Sequence, residues 1–154
     1  MEELLFQELS LNQIDKIKPL WESLNRVHLD DSVFFKDHYS AFTFEKRSAR
    51  WKTMSDEDIL IIVAETKDKE LIGYCVSTMD EMKEGEIDSL FVYAEYRRLG
   101  VGKTLTEKSL EWLRSKNCKS IRLAVSYGHE SVLGFYEKIG FFPRMTVLEW
   151  NPVK

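Results

Sequence analysis

The period of apolar and polar positions changes several times along the chain, and each change marks an element. Over 4–9 the pattern predicts a short first strand, with Leu5 and Leu9 on one face. From Asn12 the period turns helical: Ile14, Ile17, Leu20, Trp21, Leu24 and Val27 recur at three and four. Pro19 either kinks that helix or marks its start. The polar run 28–32 reads as a loop, and an aromatic-rich stretch after it leads to a second helix near 45–54. Residues 59–65 are continuously apolar, as a strand buried on both faces should be. A polar turn at 67–70 separates them from a strand over 71–78, so the pair predicts an antiparallel hairpin. The acidic segment 80–86 reads as a loop with Gly85 at its turn, followed by a strand over 86–93. Beyond that strand Val101, Leu105, Trp112 and Leu113 share one helical face, with Lys103, Glu107 and Arg114 outside it. A strand over 120–125 is most simply parallel to 86–93. A helix over 130–139 stops at Gly140, and 141–150 supplies one or two last strands, interrupted at Pro143.

Composition narrows the class. The 154 residues predict one domain, 1–154, large enough for a real core. A hydrophobic share of 44% with 31% charged residues is that of an ordinary globule. The net charge of −4 argues against a nucleic-acid partner, which calls for a basic excess. No apolar run approaches a membrane span, and the acidic start Met1-Glu2-Glu3 is unlike a secretory leader. Cys75 and Cys118 sit in apolar runs and read as free thiols. A cytoplasmic setting without membrane partners is the expectation.

Chemistry enters with Arg97, Arg98, Leu99, Gly100, Val101, Gly102, Lys103 and Thr104. A strand that turns through glycines into a helix leaves backbone N–H groups unpaired and pointing at one spot. The positive end of the helix dipole lies there too, so the spot suits a phosphate or pyrophosphate. Gly100 and Gly102 allow close approach, and Arg97, Arg98 and Lys103 add full charge. A Walker A loop would need glycine at Arg97, and a dinucleotide-binding G-x-G-x-x-G would need it at Leu105. What fits is Arg/Gln-x-x-Gly-x-Gly/Ala, a pattern of the GCN5-related N-acetyltransferases, which this stretch resembles. The resemblance continues at 129–141, against Asn-x-x-Ala-x-x-Phe-Tyr-x-Lys-x-Gly-Phe. Phe135, Tyr136, Lys138, Gly140 and Phe141 match, while His129 replaces the Asn and Val132 the Ala. The matched region covers 60–142.

The resemblance implies a mixed, mostly antiparallel central sheet, with one splayed parallel pair of strands and helices on both faces: the acyl-CoA N-acyltransferase fold. It implies acetyl-CoA as acyl donor, its pyrophosphate held by residues 97–104. The backbone of Leu90, Phe91 and Val92 would bind the pantetheine arm and polarise the thioester carbonyl. It places Tyr136 as the acid that protonates the departing thiolate, and Lys138 and His129 beside the cofactor. Without the resemblance, His129 reads as the residue that caps or opens its helix. The acceptor amine must be neutral to attack, yet a lysine-like amine has a pKa of about 10.4, so a carboxylate must take its proton. Glu86 and Asp88, two apart on one strand, point to one face and stand where some members carry that base. Glu86 has the better reach. The plainer reading of these residues stays open: carboxylates facing water, and a tyrosine with its ring in the core. No step calls for a metal, and no cluster has metal-ligand spacing.

The acceptor is a small-molecule amine or a peptide amine. Asp30, Asp31, Asp80, Glu81, Glu84 and Glu86 either gather negative charge at a pocket mouth, favouring a cationic amine, or are solvated loop charges. The resemblance also implies a homodimer through residues 145–150. Besides an enzyme, a non-catalytic acyl-CoA-binding sensor or partner-binding module of the same fold remains open.

Overall fold

The computed structural model describes residues 3–152, so the acidic start at Met1 and Glu2 lies outside it. Inside the sheet β2 (Ile59–Glu65) is buried at every position, which is why its sequence is apolar without alternation. Its side chains part by parity. Ile59, Ile61 and Val63 join Ile14, Ile17, Leu20, Trp21, Phe44 and Trp51 on one face. Leu60, Ile62 and Ala64 join Val101, Leu105 and Leu113 on the other. A turn with Lys69 at φ 65° leads to β3 (Leu71–Met79). With β1 (Leu5–Leu9) and β4 (Glu84–Val92) these strands pair antiparallel, and β5 (Ser120–Arg122) pairs parallel to β4. The order is β1-β2-β3-β4-β5. The expected mixed sheet is therefore present, with helices on both faces.

Helices α1 (Lys18–Asp31), α2 (Lys36–Ala41) and α3 (Phe44–Trp51) precede β2, while α4 (Val101–Ser115) links β4 to β5 and α5 (Leu133–Ile139) follows β5. Pro19 marks a start: residues 11–17 form a 3₁₀ segment and α1 begins with the proline in its first turn. The run 28–32 is not a loop, because α1 continues to Asp31. There the Lys36 ammonium takes the orphan carbonyls of Leu29 and Asp30 at 2.8 and 3.1 Å. The short α2 gave no periodic signal.

Two further expectations change. Gly85 is not at a turn; it lies inside β4, where a Cβ would come within 2.8 Å of Leu113 Cδ2. The turn is made by Lys83 at φ 62°, with the Asp80 carboxylate accepting from the Met82 and Glu84 amides at 2.9 Å each. Leu5 and Leu9 share one face of β1 as expected, with Leu5 49% exposed near the strand's start. Residues 141–150 form no strand: β5 pairs over only three positions, and Met145, Val147, Leu148 and Trp150 stand exposed.

Candidate active site

The parallel pair β4–β5 ends almost as soon as it begins. Glu84, Gly85 and Glu86 face Ser120, Ile121 and Arg122, and beyond them no strand among the described residues lies on that edge of β4. The edge is free from Ile87 to Val92, the stretch that includes Leu90, Phe91 and Val92. The opposite edge stays on β3 but slips once: Val76 faces Ser89 while Ser77 faces Ile87. Asp88 is thus the extra residue of a β-bulge.

At the top of β4 the chain turns through Arg98 at φ 67° and Gly100 at φ 81° into α4. The first helical bond is donated by Thr104 N–H to the Gly100 carbonyl at 2.9 Å, so the amides of Val101, Gly102 and Lys103 have no acceptor within the helix. A Cβ at Gly100 would touch nothing within 4 Å, and one at Gly102 would meet only Phe135 and Val92 side-chain atoms at 3.4 Å or more. Arg97 donates through Nε to the Val92 carbonyl at 2.9 Å, which fixes the loop to the strand end. Lys103 lies 3.9 Å from Glu107, both exposed, and Leu99 is exposed beside them. Bare amides at a helix start, a corner glycine with nothing beside it and three cations fit a diphosphate.

Glu86 sits where β4 and β5 part, one-third exposed, with the Arg122 Nε 3.6 Å from its carboxylate. Tyr136 projects from α5, its ring edge-on to Phe135 and Phe141. The helix is stopped by Gly140 at φ 113°. Burial, then the Cys75 thiol, push the Tyr136 phenol above its ordinary pKa, so it holds its proton. Cys75 is fully buried beside Ser109 and Ser77, and burial pushes its thiol up to about 11.

Asp88 differs from Glu86. Its side chain is 1% exposed. Oδ1 accepts from Thr78 Oγ1 at 2.8 Å, and Oδ2 accepts from Trp51 Nε1 at 2.9 Å and Arg50 at 3.1 Å. Both oxygens are occupied, so this carboxylate does not share the open position of Glu86.

His129 turns toward α1. It makes no side-chain cap, and its Nδ1 lies 2.7 Å from Asp31 Oδ2. Its ring meets that of His28 edge-on. Tyr39 donates to Ser126 at 2.9 Å, Phe34 stacks on Tyr127, and a Cβ on Gly128 would overlap the Asp31 carbonyl at 2.1 Å. The α1–α2 segment is therefore strapped to the loop before α5. Lys138 is exposed on α5. Of the acidic residues read as a pocket mouth, Asp31 is spent on His129 and Asp80 on its own turn. No local signal marks Arg47, Arg50, Trp51 and Thr78 as neighbours of Asp88, since only the bulge and α3 packing bring them together. Among the described residues no group of three His, Cys, Asp or Glu side chains is placed to hold a metal.

Comparisons with known proteins agree on one family. The model described as "Acetyltransferase (GNAT) family" matches residues 21–141. An uncharacterized N-acetyltransferase of Methanocaldococcus jannaschii is 24% identical over 123 residues, covering 76% of this chain and 54% of that protein. One of Archaeoglobus fulgidus is 31% identical over 118 residues, 72% of this chain and 79% of its own. The chain thus spans about half the length of the first relative. In fold it is similar to the PaiA N-acetyltransferase of Thermoplasma acidophilum in complex with coenzyme A. That likeness has a TM-score of 0.74 at 20% identity, over 94% of this chain and 93% of that one.

Proposed function

The chain belongs to the GNAT acetyltransferase family, which uses acetyl-CoA, and from that premise we propose that it moves the acetyl group directly to a primary amine within a ternary complex. The observation that carries this reading is the parting of β4 from β5 after Glu86, with the bare amides of the α4 start at the end of the opened edge. Residues 97–104 hold the diphosphate of acetyl-CoA. The free edge at Leu90, Phe91 and Val92 holds the pantetheine arm and donates an N–H to the thioester oxygen as charge develops. Acetyl-CoA supplies the activated acyl group.

Glu86 takes the proton of the ammonium, directly or through one water, and the neutral nitrogen attacks the carbonyl carbon. The carbon–sulfur bond breaks, and Tyr136 gives its proton to the departing thiolate. The raised phenol pKa supports this role, because the proton is present throughout the neutral range. Direct attack is supported by Cys75, which is buried, protonated and unsuited to act as an acyl carrier. Asp88 does not take the proton in this scheme. Lys138 meets a cofactor phosphate, and His129 stays with Asp31 at the end of α1.

The acceptor is a small amine or a peptide amine. Two free thiols, Cys75 and Cys118, support a reducing compartment such as the cytoplasm; no helix among the described residues is long and apolar enough to cross a membrane. A second copy adds to the open edge of β5 through residues 145–150, giving a homodimer. The deciding experiment pairs calorimetry with coenzyme A and with ATP to an assay of thiol release from acetyl-CoA over an amine panel. Coenzyme A binding with amine-dependent thiol release is expected. Binding without release for any amine would leave a coenzyme-binding module, and ATP binding alone would overturn the whole reading.

A further inference from the structure

The bulge at Asp88 has a consequence for the polarising amides two to four residues further on. Along a strand successive residues turn their N–H and C=O groups to opposite edges, so a one-residue slip exchanges the edges for everything that follows. On β4 the slip falls between Ile87, opposite Ser77, and Ser89, opposite Val76. It therefore decides which of residues 89–92 direct their amides to β3 and which to the open edge. A bulge also strands one residue's backbone groups outside the ladder. Here the stranded carbonyl is not left to water: Arg47 donates to the Asp88 oxygen at 2.9 Å, its guanidinium stacked 4.4 Å over the Trp51 ring.

The side chain of the same residue is held from two elements. Thr78 on β3 grips Oδ1, while Trp51 and Arg50 on α3 grip Oδ2. Trp51 is fully buried and Thr78 is 1% exposed, so these donors have no water to turn to. Two arginines face this one carboxylate, and a buried acid so compensated is costly to disturb. An acid whose two oxygens serve three donors cannot accept an ammonium proton without releasing them.

We propose that Asp88 is a positioning residue: Thr78, Trp51, Arg50 and Arg47 clamp it so that the β4 bulge keeps the register aiming the strand's free amides at the thioester. This rests on the acetyl-transfer reading above. Its test uses Thr78→Val and Trp51→Phe, which each remove one donor while keeping most of the shape, alongside Asp88→Asn. Two readouts are taken on the full chain: the pH–rate profile with acetyl-CoA and an acceptor amine, and hydrogen exchange of the 88–92 amides against those of β2. Each variant is expected to lose roughly tenfold in kcat, as one charge-assisted hydrogen bond implies. KM for acetyl-CoA should stay within about twofold. The acidic limb of kcat/KM should persist even in Asp88→Asn, and exchange over 88–92 should quicken while β2 stays protected. Loss of that limb in Asp88→Asn would make Asp88 the base and overturn the proposal. So would unchanged kcat and unchanged exchange in Thr78→Val and Trp51→Phe. If the wild type acetylates no amine, the transfer reading fails separately, and the exchange measurement alone decides the clamp.

Discussion

Glu86 and Arg122 are the last residues at which β4 and β5 remain in register, and their side chains form an ion pair at 3.6 Å. Past them the strands part, so the carboxylate sits at the fork of the opened sheet with a cation beside it. Both groups are partly exposed, which keeps the pair weak as a source of stability. Its use is local. It keeps the carboxylate beside the fork of the two strands.

Glu86→Gln is therefore expected to lower kcat/KM by about a hundredfold or more and to abolish the acidic limb of its pH profile. Arg122→Ala, which removes the ion-pair partner of the carboxylate, should keep that limb and lower kcat/KM by less than about tenfold. A pH–rate series on the two variants and the wild type checks both. An acidic limb that survives in Glu86→Gln would remove Glu86 from the base position.

Tyr136→Phe keeps the ring contacts with Phe135 and Phe141 and deletes only the hydroxyl. Turnover should fall by about a hundredfold, with the dissociation constant for coenzyme A within about twofold of the wild type, since the phenol is proposed to act on the leaving sulfur. Because burial raises its pKa above the ordinary 10, the phenol should cause no basic limb in kcat below about pH 10. Steady-state kinetics with calorimetry separates the two effects. Equal losses in turnover and affinity would argue for a packing role.

How much of this the sequence carried depends on whether a signal was local. The strand 59–65 was legible to its exact ends, because burial on both faces demands an unbroken apolar run. The phosphate corner was legible because Gly100 and Gly102 have no equally good substitute in a left-handed turn and a close approach. The bulge at Asp88 was not. Period-two reasoning gave Glu86 and Asp88 the same part, and only the donors on α3 and β3 divide them. The end of α1 misread as a loop for a similar reason: the cation that satisfies its last carbonyls comes from Lys36, beyond the helix. At 141–150 the period is strand-like, yet a strand also needs a neighbour, and a single chain's sequence does not say whether one is supplied.

Gly100→Ala tests the corner itself. The new methyl would touch nothing, but the residue sits at φ 81°, where a side chain costs about 1 kcal/mol of backbone strain. Relief of that strain rotates the loop and misdirects the first-turn amides. The expected result is a modest loss of thermal stability with coenzyme A affinity lowered by roughly tenfold, measured by calorimetry. Wild-type affinity in this variant would place the diphosphate elsewhere.

The proposed homodimer makes its own prediction. Leu148 is 91% and Trp150 83% exposed, and among the described residues the sheet's last strand, β5, has an open edge. Leu148→Asp with Trp150→Ser should shift sedimentation from dimer toward monomer while far-ultraviolet dichroism stays the same, since neither residue lies in a core. A wild type that sediments as a monomer at micromolar concentration would end the idea.

The last prediction concerns acid stability and rests on His28, which projects from α1 against α2 and the loop before α5. Its neighbours are the rings of Tyr39 and His129 and the Asp31 carboxylate; among the described residues its Nδ1 is buried with no hydrogen-bond partner. Burial first, and then His129, pull its pKa from 6.5 down to about 4, against the pull of Asp31. The folded chain thus takes up this proton only near pH 4, whereas the unfolded chain takes it up near 6.5. Stability from this group is whole above 6.5 and drains away as the pH falls toward 4, by roughly 3 kcal/mol in all. Urea unfolding across pH 4–8 should show that slope, and His28→Phe should flatten it while leaving the Asp31–His129 pair in place. An unchanged slope in the variant would assign the acid sensitivity to other groups.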